Sequence, residues 1–263
     1  MAGPCRAIIL QKRETFRRRS RRTWMLLEDA GRPLREHLLQ AADKRASSAY
    51  LEKAHSLYAQ FQIETSAYSH RLLALGCPDR RLQVLPVLFE QVIADTPVLL
   101  VGCKGGVSEA ELDQLRKFTP HVQAMCDELA SFNLPETLHH DDFHTHNILI
   151  NKQGYVFFDW GDSGITHSFF SMFIALRSAK YTLEYNEDTL LRLRDAYLEP
   201  WSAYAPKEHL LAAFQLAQRL AIFSRALTWY WIVVHLEDRV RWEFEDAVPY
   251  WLRMFLTNEE PPD

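Results

Sequence analysis

His139-His140-Asp141-Asp142-Phe143-His144-Thr145-His146-Asn147-Ile148-Leu149-Ile150 is followed, past Asn151-Lys152-Gln153-Gly154, by Tyr155-Val156-Phe157-Phe158-Asp159-Trp160-Gly161. An aspartate, an asparagine five residues on, a short apolar strand, a glycine turn, a second apolar strand and a closing aspartate describe a loop rimmed by a β-hairpin. Phosphoryl transfer asks for little covalent chemistry from a protein, so positioning and charge neutralisation carry it. One carboxylate must hold the acceptor hydroxyl, while a second carboxylate and a neutral amide oxygen hold magnesium against the phosphates. Asp142 is the candidate catalytic residue, and Asn147 and Asp159 are the candidate metal ligands.

His140-Asp141-Asp142 with Asn147 keeps the spacing of the kinase loop H-R-D-x-x-x-x-N. The segment resembles the catalytic loop of the aminoglycoside phosphotransferase and choline kinase family, within the protein-kinase-like fold. Members usually read His-Gly-Asp-x-His-x-x-Asn and later Asp-Trp, matched here by His140, Asp142, His144, Asn147, Asp159 and Trp160. Asp141 departs from the usual glycine, and its carboxylate must turn away from Asp142 or raise the pKa there. The resemblance implies ATP or GTP and Mg2+ as cofactors, with Leu149 and Phe158 facing the adenine. It also implies a hinge at Leu27 to Ala30, so that Glu28 and Asp29 meet the nucleotide, and it makes His140 and His144 braces of the loop. His139 and His146 are given no part beyond solvation.

A rival reading takes His139, His140, His144 and His146 with the two aspartates as a metallohydrolase site, since imidazole and carboxylate together hold zinc or iron. It leaves Asn147 and Asp159 without a role.

The chain has 263 residues, 48% of them apolar, enough for a substantial core. Its four cysteines, Cys5, Cys77, Cys103 and Cys126, form no C-x-x-C pair, which fits a reducing cytoplasm. The long apolar stretch near Ala221 to Leu236 is interrupted by Arg225 and preceded by Arg219, so it reads as a buried helix and not a membrane span. Residues 1–23 hold eight basic side chains against Glu14 alone, leaving 22 basic and 33 acidic residues in the remainder, a net of −11. That acidic body disfavours nucleic acid and suits a cationic acceptor. The basic segment reads as disordered or artefactual, and residues 24–263 as one phosphotransferase domain.

Along that domain, Trp24 to Asp29 reads as a buried strand ending in an Ala30-Gly31-Arg32-Pro33 turn, with a helix from Leu34. Apolar residues at steps of three and four predict a helix over Arg45 to Leu75 and another over Leu82 to Ile93. Ser108 with Glu111 is a capping box opening a third, and Val122 to Phe132 gives the stripe of a fourth. The glycines from Gly102 to Gly106 do not satisfy a phosphate-loop pattern and read as a loop before a helix. After Asp159 the pattern is helical over His167 to Lys180, Glu187 to Leu198, Pro206 to Leu236 and Asp238 to Phe255. Trp229, Tyr230, Trp231, Trp242, Tyr250 and Trp251 interleave there with Glu237, Asp238, Glu243, Glu245 and Asp246, where an amine-bearing acceptor could bind.

The resemblance therefore implies an α+β, predominantly α-helical fold: a protein-kinase-like C-terminal lobe with a short catalytic-loop β-hairpin and a remnant hinge strand. It implies an ATP- and magnesium-dependent phosphotransferase acting on a hydroxyl of a small molecule. The lobe that would carry the phosphate-covering loop and its lysine has no room in residues 1–23, so the chain reads as truncated and weakly active. A non-catalytic remnant or binding module is the alternative, self-associating through the exposed edge of the hinge strand.

Overall fold

The computed structural model describes residues 29–259. In chain order the elements are β1 (Arg32–Pro33), α1 (Leu34–Gln40), α2 (Lys44–Thr65), α3 (Ser69–Ala74), α4 (Leu85–Ala94), α5 (Glu109–Ser131) and β2 (Glu136–His139). β3 (Ile148–Asn151), β4 (Gly154–Phe157), β5 (Gly164–His167), α6 (Ser171–Tyr181), α7 (Glu187–Leu198), α8 (Lys207–His235), α9 (Asp238–Arg241) and α10 (Ala247–Thr257) follow. The fold is α+β and predominantly helical. Among the described residues no helix is long and apolar enough to cross a membrane.

β3 and β4 form the hairpin read from the sequence, with Ile148 opposite Phe157 and Asn151 opposite Gly154. β1 lines its other edge antiparallel, Arg32 opposite Ile150. Gly31, at φ 106°, permits that approach, because a side chain there would overlap the Ile150 carbonyl. The strand near the hinge is thus Arg32–Pro33 where a turn was expected, and Asp29 and Ala30 lie in no strand. The expected strand residues Trp24 to Glu28, the site residue Glu28 and the basic segment 1–23 lie outside the described residues.

A second, two-stranded sheet went unread in the sequence. β2 and β5 pair antiparallel, from Glu136 opposite His167 to His139 opposite Gly164. β2 delivers the chain into the loop that carries Asp142 and Asn147, and β5 begins soon after Asp159.

The helices follow their stripes. α2 is capped by Asp43, whose Oδ1 accepts from the Ala46 N–H at 2.7 Å. It buries Leu51, Ala54, Tyr58 and Phe61, and stops at a 3-10 turn, Ser66–Tyr68, before α3. The helix expected over Arg45 to Leu75 is therefore two helices joined by a tight turn. The third and fourth expected helices are one: α5 runs through Pro120, and Leu112, Leu115, Val122, Cys126 and Leu129 make one buried stripe. Its Ser108–Glu111 capping box is formed in both directions. The last expected helix is broken into α9 and α10.

Tyr58 is the pivot between the helices and the loop. Its buried ring stacks on Phe143 at 4.0 Å and meets Phe157 edge-on at 5.3 Å. Such aromatic pairs add about 0.5–1.5 kcal/mol beyond the area they bury. Gln62, one turn on, is fully buried yet satisfied: its Nε2 donates to Thr137 Oγ1 at 3.1 Å and to the Ser168 carbonyl at 2.9 Å, and its Oε1 accepts from Tyr197 at 2.6 Å. α2 is thereby tied to β2, to the turn before α6 and to α7 by directional polar bonds.

Candidate active site

The loop between β2 and β3 is held from within by its own backbone: His144 N–H donates to the Asp142 carbonyl at 3.0 Å and Asn147 N–H to the His144 carbonyl at 2.9 Å. At the open end of the hairpin, Phe158 N–H donates to the Asn147 carbonyl at 2.8 Å. That bond brings the residue before Asp159 against Asn147. Asp159 has a left-handed backbone, φ 59°, a conformation that costs most residues about 1–2 kcal/mol and that aspartate tolerates better than most. Its carboxylate is exposed and has no protein partner among the described residues.

Asp142 is half-buried, and three donors surround it. Arg225 Nη2 reaches Oδ1 at 3.2 Å, while His144 Nε2 at 3.1 Å and Asn147 Nδ2 at 3.2 Å reach Oδ2. Burial pushes its pKa up, but the His144 hydrogen bond and the Arg225 charge outweigh that and leave it below the ordinary carboxylate value. Asn147 also donates to the Asp142 carbonyl at 2.9 Å, so its amide nitrogen is spent inside the loop and its oxygen is the end left free.

Asp141 takes the first of the two courses open to it and turns away. It is 2% exposed, with Oδ1 on His139 Nε2 at 2.8 Å and Oδ2 on Arg225 Nη1 at 2.8 Å. Arg80 lies 3.8 Å from Oδ1, itself buried, bonded to Thr228 Oγ1 and set over the Trp231 ring at 4.5 Å. Burial would raise the Asp141 pKa, yet these partners hold it well below the usual range.

The histidines divide differently from expectation. His139 is buried and bonded on both ring nitrogens, to Asp141 and to Ser171 Oγ at 2.8 Å, so it is structural and not a solvated bystander. Burial also lowers its pKa, leaving it neutral near pH 7. Nε2 faces a carboxylate and must carry the proton, which makes Nδ1 an acceptor and Ser171 its donor. Tyr58 Oη, 2.7 Å from Ser171 Oγ, then donates to it. The bonds run one way, from Tyr58 through Ser171 and His139 to Asp141. His140 braces the loop as expected: its Nε2 donates to the Phe158 carbonyl at 2.7 Å, its ring packs 4.8 Å from Trp160, and burial lowers its pKa to about 4. His144 holds Asp142 and accepts the His146 N–H at 3.3 Å. With the imidazoles of His139, His140 and His144 so engaged, His146 exposed, and no three His, Cys, Asp or Glu side chains grouped to hold a metal among the described residues, the metallohydrolase reading finds no support.

Leu149 and Phe158 are both half-buried beside the hairpin. Asp29 Oδ1 accepts the Gly31 N–H at 2.9 Å. In the aromatic tail, Trp229 and Trp231 come to the site, under Arg225 at 5.6 Å and Arg80 respectively, and Phe244 stacks on Trp229 at 5.7 Å. Trp251 instead packs on Phe173 and Tyr250, away from the loop. Trp242 is exposed, Glu237 is paired with Arg239, and the Asp238 side chain lies outside what is described.

Arg225, Arg80 and Asp162 were missed as site residues. Asp162 is half-buried with its pKa raised, by burial first and by Asp141 next, and its carboxylate has no hydrogen-bond partner among the described residues. Arg225 did leave a signal, as a charge inside an otherwise apolar helical run.

The profile of the phosphotransferase enzyme family matches residues 14–210. No curated protein matches the sequence. Among solved structures, an ethanolamine kinase from Plasmodium vivax is similar at 14% identity with a TM-score of 0.51, over 88% of this chain and 62% of that one. A glucosamine kinase aligns at 14% identity and a TM-score of 0.39, over 86% of this chain and 55% of that one. The likeness to the first shows a kinase-like fold, and the chain spans less than two thirds of either protein's length.

Proposed function

The chain belongs to the phosphotransferase enzyme family, and from that premise we propose that it transfers the γ-phosphoryl group of ATP or GTP to a hydroxyl of a small molecule. The observation that carries this reading is the disposition of three oxygen-bearing groups. Asp142 is fixed by three donors, and among the described residues the Asn147 amide oxygen is left free by the two bonds of its nitrogen and Asp159 is presented without a protein partner beside Phe158.

The donor set fits magnesium, which takes hard oxygens and leaves most of its positions to phosphate and water. Asn147 Oδ1 and the Asp159 carboxylate would hold it. When bound, the ion and its nucleotide supply charge neutralisation and the phosphoryl group. A carboxylate has about four lone-pair directions, and three donors already face Asp142, so about one direction remains to orient an acceptor hydroxyl. His140 fixes the backbone at Phe158, and through it the point from which Asp159 projects. Leu149 and Phe158 are proposed to face the base.

The acceptor is proposed to be a cationic alcohol. Asp162 offers a carboxylate with no hydrogen bond among the described residues, with Trp229 and Phe244 giving aromatic faces on the Arg225 side of the loop.

Calorimetric titration with magnesium ATP, followed by ADP release with choline, ethanolamine, glucosamine or kanamycin, tests the reading. Asp142→Asn is expected to lower transfer by about 10²–10⁴-fold, the usual share of general acid-base catalysis, while nucleotide binding persists. No binding of magnesium ATP by the folded chain would instead favour a non-catalytic module.

A further inference from the structure

Arg225 spans two consecutive carboxylates. Nη1 donates to Asp141 Oδ2 at 2.8 Å and to the Asp141 carbonyl at 3.3 Å, while Nη2 donates to Asp142 Oδ1 at 3.2 Å. It reaches them from α8, more than eighty residues away in sequence, with its side chain only 11% exposed. The guanidinium is planar and its donors are fixed relative to one another, so anchoring one nitrogen aims the next. Asp141 is the anchor: it is buried, both of its oxygens are engaged, and its backbone carbonyl is gripped by the same nitrogen that grips its carboxylate.

His144 and Asn147 both act on Asp142 Oδ2. Without Arg225, the described protein donors would all lie on that one oxygen, and the carboxylate plane could turn about it. Arg225 supplies the contact on the other oxygen. We propose that Arg225 is a positioning residue for Asp142, setting the orientation of its carboxylate through a guanidinium that Asp141 locks in place. The inference rests on the reading of Asp142 as the residue that orients the acceptor hydroxyl. Asp141 then has a function where glycine is usual: it supplies the buried counter-charge that brings an α8 arginine to the loop. Arg80, over Trp231 and bonded to Thr228 on the same helix, ties Asp141 to α8 a second time.

The test is ADP release from magnesium ATP by the full chain, with water as acceptor where no alcohol accelerates it, and with kcat and KM for ATP read separately. Arg225→Ala is expected to lower kcat by about 10²-fold, the usual penalty for a misplaced reacting group, with KM for ATP within about twofold. Dilute guanidinium chloride should restore part of that loss, and none of the loss in Asp142→Asn. Arg225→Lys keeps the charge but not the fork, and should fall between Arg225→Ala and wild type. Wild-type kcat in folded Arg225→Ala, or in Arg225→Lys, overturns the proposal. Should wild type release no more ADP than Asp142→Asn, the function reading itself fails, and a double-mutant cycle of urea unfolding decides the contact. Non-additive effects of Arg225→Ala and Asp142→Asn sustain the fork, and additive effects overturn it.

Discussion

The Asn147 side-chain nitrogen donates to both the carbonyl of Asp142, at 2.9 Å, and its carboxylate, at 3.2 Å. One amide thus fixes the loop's backbone and its side chain together, and turns its own oxygen outward. Asn147→Ala removes the free oxygen and both internal bonds. The expected result is weaker magnesium-dependent nucleotide binding and turnover lower by about 10²-fold. Calorimetry with and without magnesium checks it, and equal ATP affinity in variant and wild type under both conditions would remove Asn147 from the metal site.

Asp141 carries an opposite prediction, on stability more than on nucleotide binding. Asp141→Ala leaves buried Arg80 without its paired carboxylate and Arg225 with Asp142 alone. Breaking a buried pair by removing one partner costs about 3–5 kcal/mol, because the remaining charge goes uncompensated. Urea unfolding at neutral pH should show a loss of that order. A loss under about 1 kcal/mol, the range of surface pairs, would mean that water reaches the arginines and the network is not sealed.

Acid lability follows from the buried histidines. Burial lowers His140 and His55 to about 4, and His167 to about 3, from an ordinary 6.5. In the unfolded chain each takes up a proton as pH falls below about 6.5, while the folded protein resists, so the unfolded state binds more protons and is favoured. Their contribution to stability is complete above pH 6.5 and shrinks down to about pH 4, by at most about 1.4 kcal/mol per pH unit for each group. Urea midpoints between pH 7 and 5 should fall steadily. A flat profile over that interval would show that these imidazoles are solvated.

The β3–β4 hairpin and the loop before it were legible in the sequence because they lie in one contiguous run, and because β3 and β4 are joined by a short glycine turn. Local spacing suffices for such a unit. The sheet of β2 and β5 was not, since its strands are four residues each, carry buried Thr137 and Thr166 in place of an alternating pattern, and pair across the whole intervening hairpin. The helix opening at Ser108 and the stripe over Val122 to Phe132 were read as two helices, where one buried stripe runs the whole length of α5. Arg225 could be seen as unusual in an apolar helix, but the two carboxylates it meets are set by how α8 packs, which no local pattern states. Asp162, two residues past Trp160, needed the same knowledge before its place near Asp141 could be read.

The hydrogen bonds from Tyr58 through Ser171 and His139 to Asp141 all point the same way. Such a chain has two self-consistent polarities, and the fixed negative end selects one of them. No single link can reverse without stranding a proton against a proton or a lone pair against a lone pair. The donor directions along this chain are therefore set together, and α2, through Tyr58, and α6, through Ser171, both share in fixing the carboxylate of Asp141.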